Sequence, residues 1–306
     1  MHRIIYLFKT TTEEFVHDNA TQMAAALAYY ALFAFPSILL ISINILSIFL
    51  EDIDVQTTLI GQAQRITGGS TSEILRLMVD HLHQYSELGN TAQWIGIIVL
   101  IIAASGALGH LQVSLNTIWN IAPHPSRSFL MTLRRRFVAT FFIGAIGILV
   151  LAAFIFNTLI NKVGFQISGL VGLSPFFLQS MNILISFVGI TVFITLIYKL
   201  IPEGDMAWKD IFIGALVSAF LFILGKYVIG LIMTNNSFST IYGAAGSLLI
   251  LLIWVYYLSL IFFFGAEFTQ VYSHLYGKGV ALRKGTVSVK DRILLKKNGE
   301  EFKARK

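Results

Sequence analysis

The sequence predicts an all-α, polytopic membrane protein with six transmembrane helices, both termini cytoplasmic and a small helical extracytoplasmic cap. Three observations predict it. Of 306 residues, 56% are hydrophobic and only 12% charged, about half the ~25% of a soluble domain. Several apolar runs reach the ~20 residues needed to cross ~30 Å of hydrocarbon. Finally, Lys and Arg sort onto alternate connections as a bilayer demands.

Residues 1–23 form an amphipathic cytoplasmic segment. Within it "RIIYLF" is too short for a signal-peptide core, and Glu13, Glu14 and Asp18 follow, so no cleavable signal is expected. The membrane domain, 24–272, holds spans at Ala24–Leu50, Gln93–Leu115, Phe137–Ile160, Leu178–Ile201, Ile211–Met233 and Ala244–Tyr272. Each is bounded by polar, Gly- or Pro-containing sequence such as "GGSTSE", "APHPSRS", "IPEGD" and "TNNS". The runs are too long for barrel strands and lack their alternation. The cap, 51–92, carries six acids against Arg65 and Arg76. Ser70 and Glu73 have capping-box spacing, and Ile74, Leu77, Met78, Leu82 and Tyr85 follow at a helical period. Residues 273–306 are a basic cytoplasmic tail.

Arg65, Arg76 and Lys162 are the three cations on the outer side; Lys226 is intramembrane, and the other eighteen of 22 share the inner side with both termini. That is the positive-inside pattern, and an even number of spans agrees with it. The net charge of +6 therefore reads as orientation, plus attraction of "LRRR" and "KDRILLKK" to anionic headgroups of the bilayer. Nucleic acid is not an expected partner: the tail lacks aromatics interleaved with its basic residues on a folded platform. There is no cysteine, so neither a disulfide nor a thiolate metal site can form.

Polar groups inside a membrane are costly and mark functional positions. They fall into two layers here. The outer one holds Asn44, Asn157, Asn182 and Lys226; the inner one holds Asp18, Asn19, Gln22, His110, Gln112, Asn116, Glu267 and Gln270. A single Asn reads equally as an interhelical hydrogen bond worth ~1 kcal/mol. Lys226, fifteen steps into its span, is too deep to snorkel freely. Glu267 ends its apolar run, at the cytoplasmic boundary where charge is cheap, with Asn116 or the basic loop as expected partners. Some 15–22 Å of helix rise should separate these two charges, so no ion pair is expected. Small residues at Ser105 and Gly109, Gly214 and Ser218, and Gly243 and Gly246 should let helices approach closely.

Other chemistry is absent. His81 and His83 splay apart on a helix, and a metallo-β-lactamase-type motif would need Asp and His where Tyr85 and Ser86 stand. No metalloprotease, P-loop or nucleophile-elbow motif occurs. Hence no catalytic residue, metal or cofactor is expected.

Six segments, "AAALAYYALFAFP", "LNTIW", "YKLIP", "WKDIFIGAL", "STIYGAAGSLLILLIWVYY" and "GAEFTQVY", spread in order over about 250 residues, resemble the YihY/BrkB family of bacterial inner-membrane proteins. The resemblance implies a six-span helical fold and a plasma-membrane location. It assigns motif membership to Tyr29, Tyr30, Asn116, Trp119, Tyr242, Gly243, Gly246 and Glu267. The family's old label, ribonuclease BN, would imply RNA cleavage, which the missing ligands contradict. Its links to serum resistance and envelope lipids point instead to transport or envelope maintenance.

The expected function is thus transport or export of a lipid or small amphiphilic solute, without an ATPase. Substrate-pathway candidates are Lys226, Asn44, Asn182, Asn116, Glu267, Tyr242 and Asp18. The rival is a non-transporting protein that organises the envelope. A continuous polar cavity between the layers would favour the first, a solid apolar core the second. A homo-oligomer is compatible with either.

Overall fold

A computed structural model of the chain describes residues 2–33, 105–124, 175–233, 244–283 and 286–289. In chain order the helices are α1 (His2–His17), α2 (20–33), α3 (105–118), α4 (Pro175–Leu200), α5 (Trp208–Met233) and α6 (Ala244–Tyr276). The strands are β1 (Ile121–Pro123), β2 (Gly204–Asp205), β3 (Ala281–Leu282) and β4 (Thr286–Ser288).

Helix ends follow local chemistry. Pro175 supplies a preset φ at the start of α4, and Pro202 follows its end. Asp210 in the first turn of α5 suits the positive end of the helix dipole. Asn19 and Asn120 have φ near 54° and 56°, a left-handed conformation Asn tolerates better than most residues. Asn19 makes the elbow between α1 and α2, and Asn120 turns the chain out of α3. Helices α4, α5 and α6 are long and apolar enough to cross a membrane. They start within a few residues of the expected spans, while α6 runs on past Tyr272 to Tyr276. The third span, Phe137–Ile160, and the cap at 51–92 lie outside the described residues.

Helix α5 packs against both α4 and α6, and α1 lies along α6. The α5–α6 seam is set by small residues. A methyl placed on Gly214 would fall 1.7 Å from Thr269 Oγ1, one on Gly265 1.6 Å from Ser218 Oγ, and one on Gly225 2.0 Å from Tyr257 Oη. These three pairings define one antiparallel register, with close backbone approach along its length. The expected small pair Gly214 and Ser218 sits on this seam. One apolar core joins Ala20, Ala24, Leu115, Ile118 and Trp119 to Tyr198, Ile211, Phe263 and Ala266.

The fold departs from purely helical at one end of the bundle. Strand β1 pairs antiparallel with β4, Ala122 opposite Val287, and β2 pairs with β3, Gly204 opposite Leu282. The loops after α3 and α4 are therefore stitched to the chain after α6. Val289 N–H donates to Asn120 O at 3.1 Å, extending the first ladder. Gly204 is required there: a Cβ would lie 2.4 Å from Ile121 Cδ1 and 2.7 Å from Val280 Cγ1. The beginning of the basic tail is thus part of the folded unit.

Candidate functional site

Helix α1 turns one stripe toward α6. Phe8 meets Phe268 with ring centroids 5.4 Å apart, and Phe15 meets Phe264 at 5.7 Å. Leu7 clusters with Phe268 and Val271. Phe8 to Phe15 runs with Phe268 to Phe264, so the helices are antiparallel, and Glu267 falls within this contact. It is 1% exposed, and among the described residues its Oε1 has no hydrogen-bond partner. The expectation of a cheap boundary charge is therefore overturned. Helix α6 continues to Tyr276, and α1 covers the face where Glu267 sits, so the carboxyl is removed from water.

Other buried polar groups nearby are satisfied, mostly within their own helix. Thr11 donates to Leu7 O at 2.8 Å, Thr269 to Gly265 O at 2.7 Å, Ser218 to Gly214 O at 3.0 Å and Thr195 to Thr191 O at 2.7 Å. An ionised Glu267 cannot satisfy itself this way, because a carboxylate only accepts and inside a helix the amides of α6 are already used.

The charges acting on Glu267 come from Asp18 and Glu14. Both lie at the C-terminal end of α1, on the helical repeat that carries Thr11 and Phe15. His17 and Asp18 are hydrogen-bonded, His17 Nδ1 to Asp18 Oδ1, at 3.1 Å. One ligand atom each from Glu14, His17 and Asp18 lies within 4.8 Å of the others. The Asp18 side chain is 13% exposed while His17 stays 81% exposed. Burial pushes the Asp18 carboxyl above its ordinary range, opposed by the His17 hydrogen bond and charge. Asn19 and Gln22, expected in the same layer, are exposed.

Asn116 has a different task from the one expected. Its Oδ1 accepts from Glu203 N–H at 2.9 Å, and Gln112 donates to Ile201 O at 3.3 Å. These side chains hold the loop after α4 rather than Glu267. His110 Nε2 donates to Met23 O at 2.9 Å, tying α3 to α2, and Trp119 Nε1 donates to Ala266 O at 3.4 Å. Sequence reasoning missed two buried links. Tyr198 Oη donates to Phe262 O and contacts Ser218 Oγ at 3.1 Å, and Ser273 donates to Asp210 Oδ2 at 2.7 Å. It also passed over Glu14 and His17 as site residues, although Glu14, His17 and Asp18 have the i, i+3, i+4 spacing of one helix face.

The outer layer is less accessible. Asn44, Asn157 and Tyr242 lie outside the described residues, as do the side chains of Asn182 on α4 and Lys226 on α5. The α5–α6 register still places the backbone of Lys226 level with Tyr257, about ten residues, or ~15 Å of rise, from the level of Glu267. A groove of about 430 Å³ between α4 and α5 is lined by Ser180, Ile183, Leu184, Phe187, Phe220 and Ile223. It is apolar, and none of the candidate residues lines it.

A family model described as Virulence factor BrkB matches residues 11–286. Relatives include a UPF0761 membrane protein of Teredinibacter turnerae, 27% identical over 270 residues, covering 88% of this chain and 60% of that protein. Another, from Azotobacter vinelandii, is 28% identical, covering 86% of this chain and 61% of the relative. A third, from Aeromonas salmonicida, is 27% identical and covers 83% and 84% respectively. The chain thus spans about 60% of the length of the first two relatives. No solved structure matches it.

Proposed function

We propose, from the premise that this chain belongs to the Virulence factor BrkB family of membrane proteins, that it moves a lipid or small amphiphilic solute across the bacterial plasma membrane. In this reading it has six spans, both termini in the cytoplasm and no catalytic centre of its own. The stitched end of the bundle is the cytoplasmic one. Its basic loops and tail meet anionic headgroups.

One observation carries the reading: Glu267 is fully buried in a membrane-length helix, with one carboxyl oxygen unpartnered among the described residues. An unsatisfied buried polar atom costs ~1–3 kcal/mol, more if charged. A residue kept only for packing would be better replaced by Gln or Leu. Such a group is the default marker of a pathway or coupling site in a membrane protein.

The test compares cells lacking the protein with cells carrying the native chain or Glu267→Gln, by untargeted metabolite and lipid analysis of cell and medium. A solute retained without the protein should be released by the native chain and retained again by Glu267→Gln, at equal protein level in the membrane. Full release by Glu267→Gln would refute Glu267 as a working residue. No solute difference between native and null cells would refute transport.

A further inference from the structure

We infer that α1 is seated in the membrane interface at the stitched end of the bundle, with the edge formed by Ile5, Phe8, Thr12 and Val16 in contact with lipid acyl chains. The first ground is position. Helix α1 lies antiparallel along α6 through the Phe8–Phe268 and Phe15–Phe264 contacts. That part of α6 belongs to the last turns of Leu251–Tyr276, a stretch long and apolar enough to cross a membrane. A helix docked there stands where hydrocarbon gives way to water. Its sides must then meet three surroundings: α6, lipid and water.

The residues of α1 sort onto three sides to match. At about 100° per residue, Leu7, Thr11 and Phe15 form the stripe turned to α6. Roughly 100° further round, Ile5, Phe8, Thr12 and Val16 fall within about 80° of one another. Ile5 is 59% and Val16 67% exposed, so this edge is a continuous apolar strip left open by the protein. Its one polar side chain is already satisfied: the Thr12 hydroxyl turns back and donates to Phe8 O at 2.9 Å, leaving no unmet donor to face hydrocarbon. Another ~100° round lie Lys9, Glu13 and His17, all exposed, with Lys9 and Glu13 paired at 3.8 Å. That is the water side, and Tyr6, with its polar hydroxyl, shares it.

The apolar edge does not stop at α1. Phe8 touches Phe268, Phe268 stacks with Tyr272 at 6.3 Å between centroids, and Tyr272 meets Tyr276 at 5.4 Å. This aromatic row carries the edge onto α6 and ends in the exposed ring of Tyr276. Tyrosine at the end of a span suits the headgroup level, where its ring is covered by lipid and its hydroxyl is wet. Because the row joins the edge to a membrane-length helix, lipid is the occupant that fits; a soluble partner would have to displace bilayer to reach it. The inference rests on the membrane reading and its orientation, in which this is the inner leaflet, and not on transport.

The chain has no cysteine, so a nitroxide can be attached at one position at a time. Ile5→Cys, Val16→Cys, Glu13→Cys and His17→Cys are each labelled in the full chain and reconstituted into vesicles of phosphatidylethanolamine and phosphatidylglycerol. All four positions are exposed, so labelling displaces no packed side chain. Oxygen, which concentrates in hydrocarbon, and a water-soluble nickel chelate are then compared as relaxants of the spin signal. The oxygen-to-nickel accessibility ratio should be severalfold higher at Ile5 and Val16 than at Glu13 and His17. Equal ratios at the four positions would put the edge in water. Exclusion of both relaxants from Ile5 and Val16 would mean that protein covers it. Either result would overturn the inference, whatever solute the protein moves.

Discussion

Adding one methyl group at Gly265 should separate three helices. Gly265 of α6 faces Ser218 of α5 and Tyr198 of α4, both fully buried. A Cβ on residue 265 would sit 1.6 Å from Ser218 Oγ, 2.9 Å from Ser218 Cβ and 2.9 Å from Tyr198 Oη. The hydroxyl of Ser218 can rotate, although doing so abandons its contacts to Tyr198 and Gly214 O. Its Cβ cannot, because the α5 backbone fixes it. Carbon atoms pack best at ~3.5–4.0 Å, so α5 and α6 must part by roughly 0.6–1 Å. Overpacking of this size costs ~1–3 kcal/mol, and a lost interhelical hydrogen bond adds ~0.6 kcal/mol. Gly265→Ala should therefore lose about 2–3 kcal/mol, read as a lower midpoint in SDS titration of the protein in mixed micelles. Ser218→Gly removes both the Oγ and the Cβ. Placed beside Gly265→Ala it should recover stability, with a coupling of ~1–2 kcal/mol against the sum of the single changes. A Gly265→Ala protein as stable as the native one, or a double variant no better than additive, would refute the reasoning.

The other predictions concern the stitched end and its orientation. Ending the chain after Gly279 deletes β3 and β4 and the Val280 contact with the core; it should lower the thermal midpoint, and an unchanged midpoint would mean the two ladders stabilise nothing. Asp205 is held below the usual carboxylate range, chiefly by its hydrogen bond from Lys199, with the Lys199 and Arg283 charges helping against partial burial. A depressed folded-state pKa means stability that is present above the ordinary aspartate range and is lost as pH falls through the folded value. Asp205 is half exposed, so less than ~1 kcal/mol is at stake, and Asp205→Asn should flatten that acid limb of the stability profile; an unaltered limb would show that Asp205 does not contribute to it. For orientation, reporter fusions after Tyr272 should read cytoplasmic and fusions near Ser70 external, and the reverse at either site would sink the six-span arrangement.

The positions of the last three spans were legible because hydrocarbon thickness is a length constraint that each run meets on its own. Pro175, Pro202 and Asp210 mark helix ends with purely local chemistry, and the expected boundaries of α4 and α5 fall within a few residues of those observed. The small pair Gly214 and Ser218 was legible too, since a seam needs small side chains one turn apart whatever lies opposite. The stitched end was not. Strands of two or three residues leave no alternation to read, and their pairing joins positions more than 70 residues apart, as Gly204 with Leu282. Nothing in "GD" or "AL" announces a partner.

Glu267 shows where a one-dimensional reading of depth fails. Counting from the end of an apolar run estimates how far a charge lies from headgroups, and on that scale Glu267 is shallow. Burial depends on a second quantity, what covers the residue, and here the cover is α1, some 250 residues earlier in the chain. The stripe that does the covering, Leu7, Thr11 and Phe15, was visible as part of an amphipathic segment, but its destination was not. Once α1 is docked, Glu14 and Asp18 arrive with it, because a helix that buries Thr11 and Phe15 must bring the residues one turn further along the same face. Asp18, a pathway candidate already, and Glu14, which looked like mere evidence against a signal peptide, thereby come to act electrostatically on the one buried carboxyl left unsatisfied among the described residues. A helix packed for its apolar stripe has carried two further acids toward a buried carboxyl, whose charge a proton or a cation must offset. For that reason the charge balance at this elbow, rather than the depth of Glu267, decides what the carboxyl can do.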